Sequence, residues 1–353
     1  MKKIAIFTDN LHVGGIQKSI VNILNNIDYK KYEVDLYLFD KDNFYEVNRN
    51  IKIIYLKKPH FICKFLPFSI VNKIIKLDVC NKEYDISIDF DSYQMYTAIG
   101  ALRCKSNIKT IWIHNDIVVK LKEEPKYKML YFFFKNKYKY FDFFCAVSNG
   151  ALSSFKKMHN YMDKDYRIIP NYIDTKEIKE KMMEECDLNV DKDKVNIVTV
   201  GRLCHQKGID IMLNNISKVL KTREDFHLYI IGDGPLYSLL MKQVIQLHLE
   251  KHVTFLGNKK NPYCYMKKMD LFYLQSRYEG QGMVILEAKS IGLDILIPKY
   301  LEKYCPNTTG VDDPVKFLKK YKKSGKKIFD YLKEYNDDVM NRWSELLNYE
   351  KNN

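Results

Sequence analysis

Short apolar runs alternate with longer segments of helical periodicity along almost the whole chain. Apolar strands that alternate with amphipathic helices are typical of parallel α/β units. Strands are predicted at residues 4–8, 34–39, 51–56, 85–90, 110–114 and 143–147, and again at 195–200, 228–231, 253–256, 271–275 and 295–297. Helices predicted between them include residues 17–26, 209–220 and 236–249. The pattern therefore predicts an α/β protein with parallel sheets.

A polar, strongly charged stretch, residues 174–193, separates the two series of strands. With 353 residues the chain is long enough for two domains of ordinary size. We therefore expect two doubly wound, Rossmann-like domains with a cleft between them. Beyond them, residues 326–347 carry a further helical pattern.

The composition is that of a globular protein. Hydrophobic residues make up 46% and charged residues 29% of the chain, which excludes a disordered or low-complexity protein. No apolar run approaches the roughly 20 residues of a membrane-spanning helix, and the N-terminal apolar run reaches an acid at Asp9. The eight cysteines include no Cys-x-x-Cys pair, which argues against structural zinc and a disulfide framework. We expect a cytoplasmic protein.

The formal net charge of +14 favours an anionic partner, either membrane lipid, nucleic acid or a phosphorylated substrate. The chain is also rich in Lys, Asn, Ile and Tyr, a composition that an AT-rich genome encodes without any functional reason. Charge alone therefore does not choose among these partners.

Two carboxylates, Glu279 and Glu287, lie on either side of a glycine-containing turn that follows the predicted strand 271–275 and opens a helical pattern. Open α/β sheets place their ligands at the carboxyl ends of the strands. An ordinary strand-to-helix turn with two surface glutamates has the same pattern, so this segment alone does not distinguish a ligand site from a structural turn.

A second segment, residues 200–208, follows the first predicted strand of the second half. Gly201 allows the chain to turn and to approach a ligand, and Arg202 and Lys207 place two cations near the start of a helix. Such a pair suits a diphosphate. Two surface cations near a loop are the structural alternative.

Glu279 and Glu287 are similar to the E-x7-E motif of the retaining, GT-B-fold glycosyltransferases of family 4, and residues 201–208 resemble the G-R-x-x-x-x-K-G element of that family. The resemblance implies that Arg202 and Lys207 bind the diphosphate of a sugar nucleotide and stabilise charge on the leaving nucleotide. It also implies that Glu287 binds the ribose hydroxyls and that Glu279 faces the sugar.

Other segments of the second half resemble loops around the donor nucleotide in the same family. Residues 231–235 are similar to a turn near the nucleotide, and residues 255–257 to the strand and loop beside the base. The donor-binding residues implied in this half are Gly201, Arg202, Lys207, Gly234, Gly257, Gly282, Met283, Val284 and Glu287. Residues 297–303 replace the usual Ser-Asp-x-Gly-Gly run, so no phosphate contact is carried over to that loop.

In the first half, Gly14 and Gly15 resemble the Gly-Gly loop that closes over donor phosphates and acceptor in the family. His114 matches the active-site histidine that reaches a hydroxyl of the donor sugar, and it joins Arg202, Lys207 and Glu279 in the implied catalytic set. Residues 169–174 resemble an I-P-N-G-V-D element, with Tyr172 in place of its glycine.

The resemblance also implies a domain plan. Residues 1–172 would form the N-terminal acceptor-side domain and residues 173–325 the nucleotide-sugar-binding domain. Residues 326–353 would form a C-terminal helix that packs back toward the first domain.

Asp89 and Asp91 mimic the D-x-D metal motif of the other glycosyltransferase fold. Aspartates at strand ends are also ordinary caps, and this pair lies in the half without the nucleotide motifs. We expect neither a metal nor another cofactor.

The resemblance implies a metal-independent, retaining glycosyltransferase. It would move a sugar from a nucleotide diphosphate sugar, expected to be UDP-linked, to a glycan or lipid-linked glycan acceptor in bacterial surface polysaccharide synthesis. The alternatives are a sugar-nucleotide epimerase of the same fold and a non-catalytic, glycosyltransferase-like partner subunit. No recognised nucleic-acid module is present, so we expect no nucleic-acid partner.

A stretch at residues 126–144 interleaves aromatic and lysine side chains at helical spacing. The aromatic residues are Tyr127, Tyr131, Phe134 and Tyr138, and the lysines are Lys128, Lys135 and Lys139. The stripe suits peripheral contact with an anionic membrane, which would place the protein at the inner face of the membrane. It equally suits a core-facing helix with a solvated lysine side.

Overall fold

The computed structural model describes residues 1–350. Its strands are β1 Lys2–Thr8, β2 Tyr32–Leu38, β3 Lys52–Tyr55, β4 Glu83–Asp89, β5 Lys105–Ile113, β6 Phe143–Ala146, β7 Asp165–Ile168, β8 Val195–Val200, β9 Phe226–Ile231, β10 Val253–Gly257, β11 Leu271–Tyr273 and β12 Asp294–Leu296. Its α-helices are α1 Gly15–Asn26, α2 Phe68–Ile74, α3 Met95–Arg103, α4 Ile117–Glu123, α5 Pro125–Phe134, α6 Asn149–Met158, α7 Thr175–Lys181, α8 Ile209–Leu220, α9 Tyr237–Gln246, α10 Tyr263–Lys267, α11 Met283–Ser290, α12 Pro314–Lys320 and α13 Tyr331–Leu347. Short 3₁₀ helices lie at Phe61–Phe65, Lys135–Tyr140, His205–Lys207 and Lys299–Tyr304.

The chain forms two compact units. Unit 1 comprises Met1–Tyr172 together with the chain from Tyr335 onward, and unit 2 comprises Ile173–Glu334. Each unit is described separately below.

Each unit is built on one parallel sheet. The sheet of unit 1 has the strand order β3-β2-β1-β4-β5-β6-β7, and the sheet of unit 2 has the order β10-β9-β8-β11-β12. All strand pairs in both sheets are parallel. The strand order reverses between β1 and β4 in unit 1 and between β8 and β11 in unit 2, which is the arrangement of a doubly wound fold. The predicted α/β, doubly wound architecture is confirmed.

The predicted strands are all present, with ends shifted by a few residues, but β7 was not predicted. Its side chains are exposed or half-buried, and the strand Asp165–Ile168 carries two charged residues. It pairs only with β6 at one edge of the sheet. With Asp165 and Arg167 among its four residues, β7 lacks the apolar run that marks a buried strand of a parallel sheet.

The C-terminal helix α13 belongs to the core of unit 1. The ring of Trp343 stacks on that of Trp112, with ring centroids 4.4 Å apart and an interplanar angle of 16°. Tyr335 donates a hydrogen bond to the carbonyl oxygen of Asn171 (2.8 Å). The helix begins at Tyr331, whereas the sequence pattern predicted helical periodicity from residue 326.

The aromatic residues of the 126–144 stretch lie in the core. Tyr127, Tyr131 and Phe134 are buried on α5, and Tyr138 is buried on the following 3₁₀ helix. Of the two interpretations offered by the sequence, the core-facing one is correct for this aromatic face, so the face itself is not exposed to a membrane. Within residues 1–350, no helix combines the length and the apolar character needed to cross a bilayer.

Candidate functional site

Glycines lie at the carboxyl ends of β8, β9 and β10 in the unit 2 sheet, and backbone hydrogen bonds join these strand ends in series. Gly201 and Gly257 are predicted site residues. The Gly201 N–H donates to the carbonyl oxygen of Ile231 (2.9 Å), and the Gly232 N–H donates to that of Gly257 (2.8 Å). The backbone at this edge is therefore fixed from loop to loop.

Close backbone contact explains why two of these positions need glycine. A Cβ atom on Gly232, whose φ is +137°, would lie 2.0 Å from the carbonyl oxygen of Gly201. A Cβ on Gly234 would lie 2.5 Å from the carbonyl oxygen of Leu203. Gly257 differs, because it has a φ of +71° and no atom within 4 Å of its Cβ position. Glycine at residue 257 serves a left-handed turn beside open space.

The structure brings Lys207 and Glu279 into direct contact. The Lys207 Nζ donates to Glu279 Oε1 at 2.8 Å, and the hydroxyl of Ser276 donates to the same oxygen at 2.5 Å. The side chains of Lys207 and Glu279 are 20% and 8% exposed. Burial alone would lower the pKa of Lys207, but the adjacent Glu279 carboxylate outweighs burial and holds this pKa above its usual value. The ammonium is therefore charged at neutral pH and held in place.

A second set of contacts joins the same two loops. The Arg277 guanidinium donates to both carboxylate oxygens of Asp210, at 2.9 and 2.6 Å. The Gln206 side chain donates to the carbonyl oxygen of Tyr278 (3.1 Å), and the Arg277 N–H donates to that of Gln206 (2.7 Å). Sequence reasoning missed these residues, because they contact partners about 70 positions away and no local motif marks them.

Arg202 and Glu287 lie in the same unit in different surroundings. The Arg202 side chain is exposed. Glu287 is half-buried on α11 and accepts a hydrogen bond from the Tyr263 hydroxyl at 3.3 Å. Tyr263 thus contacts the carboxylate that the resemblance assigns to the ribose hydroxyls.

Gly282, Met283 and Val284 form the N-terminus of α11. Gly282 is the N-cap, has no side chain to accept from the first N–H groups, and is followed by no acidic residue in the first turn. A Cβ on Gly282 would lie 3.1 Å from the Cys305 sulfur. The Gly282 and Met283 N–H groups donate to the carbonyl oxygens of Tyr304 (3.2 Å) and Gln281 (2.9 Å). This helix start therefore offers an anion the Val284 N–H and the positive end of the helix dipole.

In unit 1, Gly14 and Gly15 start α1 at the carboxyl end of β1. Gly14 is the N-cap, without a side-chain acceptor, and the first turn again has no acidic residue. A Cβ on Gly15 would meet nothing within 4 Å, so the helix start is open there. The helices α1 and α11 thus share a glycine N-cap and a first turn without an acidic residue, although the N-cap backbone angles differ.

His114 follows β5 at the same edge of the unit 1 sheet and is 7% exposed. Its Nε2 lies 2.5 Å from the carbonyl oxygen of Phe90. Because a carbonyl only accepts, Nε2 carries the proton and Nδ1 is left as an acceptor. Burial lowers the pKa of His114 to about 4, although the hydrogen bond to Phe90 opposes this shift. The imidazole is neutral at physiological pH.

Asp89 and Asp91 are buried beside a lysine rather than exposed at a metal-binding surface. Lys137 is fully buried, and its Nζ lies 3.9 Å from Asp89 Oδ2 and donates to the carbonyl oxygen of Ser92 (2.5 Å). Burial, with the nearby Asp89 and Asp9 charges, raises the pKa of Asp91 to about 7. Sequence reasoning missed Lys137, because nothing distinguishes it from the other lysines of its run. Among the residues that the structure describes, no group of three or more His, Cys, Asp or Glu side chains has the arrangement of a metal site.

Comparison with known proteins identifies the family. Residues 183–300 match the family model described as glycosyl transferases group 1. The N-acetylgalactosamine-N,N'-diacetylbacillosaminyl-diphospho-undecaprenol 4-alpha-N-acetylgalactosaminyltransferase of Campylobacter jejuni is 30% identical over 295 residues. That match covers 82% of this chain and 78% of the relative.

Two further matches differ in extent. An uncharacterized glycosyltransferase of Methanocaldococcus jannaschii is 26% identical over 198 residues, and the match covers 55% of this chain but only 49% of that protein. The crystal structure of Anabaena HepE in complex with UDP superposes with a TM-score of 0.65 at 14% identity, covering 98% of this chain and 99% of that one. The structural match shows the GT-B fold. On the extent and identity of the Campylobacter match, together with the family model, the chain belongs to the group 1 glycosyltransferases.

Proposed function

We propose that the protein transfers a sugar from a nucleotide diphosphate sugar to a glycan acceptor. The observation that carries this proposal is the Lys207 ammonium, which Glu279 holds at the carboxyl edge of β8 and β11, where the strand order reverses. Doubly wound sheets bind ligands at this edge. A charged lysine there, with the exposed cation of Arg202 on the same loop, suits a diphosphate.

In the proposed reaction, Lys207 and Arg202 donate hydrogen bonds to the diphosphate oxygens. These cations stabilise the negative charge that grows on the diphosphate as its bond to the sugar breaks. At the start of α11, the Val284 N–H next to Met283 and the positive end of the helix dipole supply further stabilisation. Fixed cations and helix dipoles then take the place of a metal ion, so the proposed transfer is metal-independent.

The two motif glutamates have different proposed roles. Glu287 accepts from the ribose hydroxyls, with Tyr263 fixing its carboxylate. Glu279 orients Lys207 and faces the donor sugar. At Gly257 the open Cβ position allows the nucleotide to approach the backbone closely. Gly201 and Gly234 leave room for the Lys207 side chain and the Leu203 backbone, and so shape the loops that would surround the donor.

For unit 1 we propose ligand contacts at Gly14, Gly15 and His114. The open start of α1 would bind phosphate or acceptor through its N–H groups. The neutral His114 would accept a hydrogen bond from a sugar hydroxyl at Nδ1, since Nε2 is committed to Phe90.

The finer assignments draw on the relatives. HepE was crystallised with UDP, and the Campylobacter enzyme is named for a diphospho-undecaprenol acceptor. For this chain we propose a UDP-linked donor, retention at the anomeric carbon, and a lipid-linked acceptor in bacterial surface polysaccharide synthesis.

Calorimetry with UDP and with uridine tests the diphosphate site. Arg202→Ala and Lys207→Ala should each weaken UDP binding by roughly 10- to 100-fold, because each loses a charge-assisted contact of about 1.5–3 kcal/mol, while uridine binding changes little. Lys218→Ala, which removes an exposed cation on α8, is the matched control and should bind UDP normally. Undiminished UDP affinity in both site variants would exclude the proposed site.

Product analysis separates the proposed transfer from its alternatives. Incubation with UDP-sugars and lipid-linked acceptors should yield a glycosylated acceptor whose anomeric configuration, read by NMR, matches that of the donor. A converted sugar nucleotide without transfer would instead indicate an epimerase, and donor binding without any product would indicate a non-catalytic subunit. Activity should persist in excess EDTA, and loss that manganese or magnesium restores would contradict metal independence.

A further inference from the structure

Two segments of unit 1 pack side by side and form one surface, which we call the basic apolar surface. It comprises residues 57–76 and 125–140. The 3₁₀ helix Phe61–Phe65 packs against α5, and α2 packs against the 3₁₀ helix Lys135–Tyr140. The rings of Phe68 and Tyr140, one from each segment, lie 5.8 Å apart.

This surface exposes an unusual share of large hydrophobic side chains. In the described part of the chain, 21 such side chains are exposed, and eight of them lie in these two short segments. The eight are Phe61, Ile62, Phe65, Ile70, Ile74, Met129, Phe132 and Tyr140, with exposures from 42% to 66%. Scattered exposed hydrophobics are ordinary, but a contiguous group marks an interaction site.

The same two segments are strongly basic. Together they contain ten lysines and no aspartate or glutamate, in a chain whose net charge is +14. Lys58 is paired with Asp9 and Asp40, and Lys137 is buried beside Asp89. Lys64, Lys73, Lys76, Lys126, Lys128 and Lys139 are exposed among the apolar side chains. A partner for this surface must therefore be both negative and apolar.

We propose that the basic apolar surface docks onto an anionic lipid bilayer. Exposed phenylalanines such as Phe61 and Phe132 would enter the boundary between headgroups and acyl chains, while the lysines contact lipid phosphates. A second copy of the chain does not fit, because it would oppose the same positive surface. The proposal concerns this surface alone and does not depend on the proposed sugar transfer.

The basic apolar surface differs from the membrane contact that the sequence suggested, which was the aromatic face of residues 126–144. The buried Tyr127, Tyr131, Phe134 and Tyr138 hold α5 and its 3₁₀ extension to the core. The opposite side of the same segment, with Met129 and Phe132, is the part that faces outward. Residues 57–76 contribute five of the eight exposed hydrophobic side chains.

Vesicle flotation tests the proposal with the full chain. The protein should float with phosphatidylglycerol-containing vesicles and not with pure phosphatidylcholine vesicles, and it should detach as salt rises from about 0.1 M to about 1 M. Two triple variants should each lower the vesicle partition coefficient at least tenfold. The first removes apolar side chains (Phe61→Ser, Phe65→Ser and Phe132→Ser), and the second reverses charges (Lys64→Glu, Lys73→Glu and Lys128→Glu). Circular dichroism checks that each variant is folded.

A matched control is available on α9 of unit 2, where Leu239, Ile245 and Lys242 are also exposed. Leu239→Ser with Ile245→Ser and Lys242→Glu should float like the unchanged protein. Normal flotation of both surface variants would overturn the proposal, as would equal binding to the two kinds of vesicle. Failure of the unchanged protein to float with phosphatidylglycerol-containing vesicles would overturn the proposal as well. It would do so even if an acidic protein were found to bind the surface.

A single-site probe covers the case in which a multiple variant does not fold. Phe132→Trp places a tryptophan on the proposed contact, and Leu239→Trp places one on the control helix. Only the first should shift its emission to the blue with phosphatidylglycerol vesicles and be quenched by brominated acyl chains. An unchanged Phe132→Trp spectrum would contradict insertion.

Discussion

Replacing Glu279 by glutamine separates charge from shape at the centre of the candidate site. The Glu279 carboxylate accepts hydrogen bonds from the Lys207 ammonium (2.8 Å) and the Ser276 hydroxyl (2.5 Å). Glutamine keeps an oxygen for these donors but removes the negative charge. We expect Glu279→Gln to destabilise unit 2, because the Lys207 ammonium loses the charge that compensates its burial.

The size of the effect follows from how much water reaches the pair. A charge-assisted hydrogen bond contributes about 1.5–3 kcal/mol, and removing one partner of a fully buried pair costs roughly 3–5 kcal/mol. The side chains of Lys207 and Glu279 keep 20% and 8% of their exposure, so the ammonium left behind remains partly hydrated. We therefore expect a loss of about 2 kcal/mol in the free energy of unfolding, below the fully buried case.

Urea unfolding of four proteins measures this loss and assigns it to the pair. The set is the unchanged protein, Glu279→Gln, Lys207→Met and the double variant. The two tryptophans, Trp112 and Trp343, both lie in unit 1, so the change should appear in far-ultraviolet circular dichroism rather than in tryptophan fluorescence. The double variant should lose less than the sum of the single variants, with a coupling energy of at least about 1 kcal/mol.

Glu250→Gln, which neutralises an exposed carboxylate of unit 2, is the control and should be nearly neutral. A loss below about 0.5 kcal/mol for Glu279→Gln, together with zero coupling to Lys207, would refute the reasoning. The Lys207–Glu279 pair would then be screened by solvent and would contribute nothing measurable to the free energy of unfolding.

Three further predictions concern other parts of the fold. Because the pKa of His114 is about 4, the unfolded chain binds a proton at this residue more readily than the folded chain, so His114 lowers the free energy of unfolding by up to about 3 kcal/mol as pH falls from about 6.5 to about 4. Asp91 has the opposite effect over an overlapping pH range. The test therefore compares the pH dependence of urea unfolding in the unchanged protein and in His114→Gln, and equal profiles would contradict the prediction. Trp343→Ala should cost roughly 3–5 kcal/mol in urea unfolding, because a buried stacked ring is lost, and a cost below about 1 kcal/mol would contradict the packing of α13. Gly232→Ala should lower the melting temperature several times as much as Gly257→Ala. Both glycines have positive φ, but only Gly232 has a carbonyl oxygen 2.0 Å from its Cβ position. Equal decreases in melting temperature would contradict this prediction.

The architecture could be predicted because most of its strands contain an apolar run, including the edge strands β3, β10 and β12. Strands such as Val195–Val200 are buried on both faces and appear in the sequence as continuous apolar runs. β7 was not predicted, because Asp165 and Arg167 leave it without such a run. The outward side of α5 was likewise hidden, since the period of a helix locates its faces but does not say which one a neighbour covers.

At the candidate site, individual residues could be predicted where a local sequence motif contains them. The contacts between residues from distant parts of the chain could not. The sequence marks Lys207 and Glu279 individually, but their contact depends on β8 and β11 being neighbours in the sheet. Arg277 and Asp210 join the same loops without any motif. Lys137 lies in a run of lysines, and only the fold shows that it alone is buried beside Asp89.

The Lys207–Glu279 pair also implies that stability and donor affinity respond to Glu279 in opposite directions. The Glu279 carboxylate cancels the charge of Lys207, and the exposed Arg202 carries the net positive charge of this loop. A diphosphate must then share Lys207 with a carboxylate that repels it. Removing that carboxylate charge should leave the ammonium to the ligand alone, so Glu279→Gln should bind UDP more tightly than the unchanged protein while unfolding more easily. Calorimetry that gives weaker UDP binding for Glu279→Gln would show instead that the carboxylate acts mainly by holding Lys207 in position, and that orientation outweighs charge at this site.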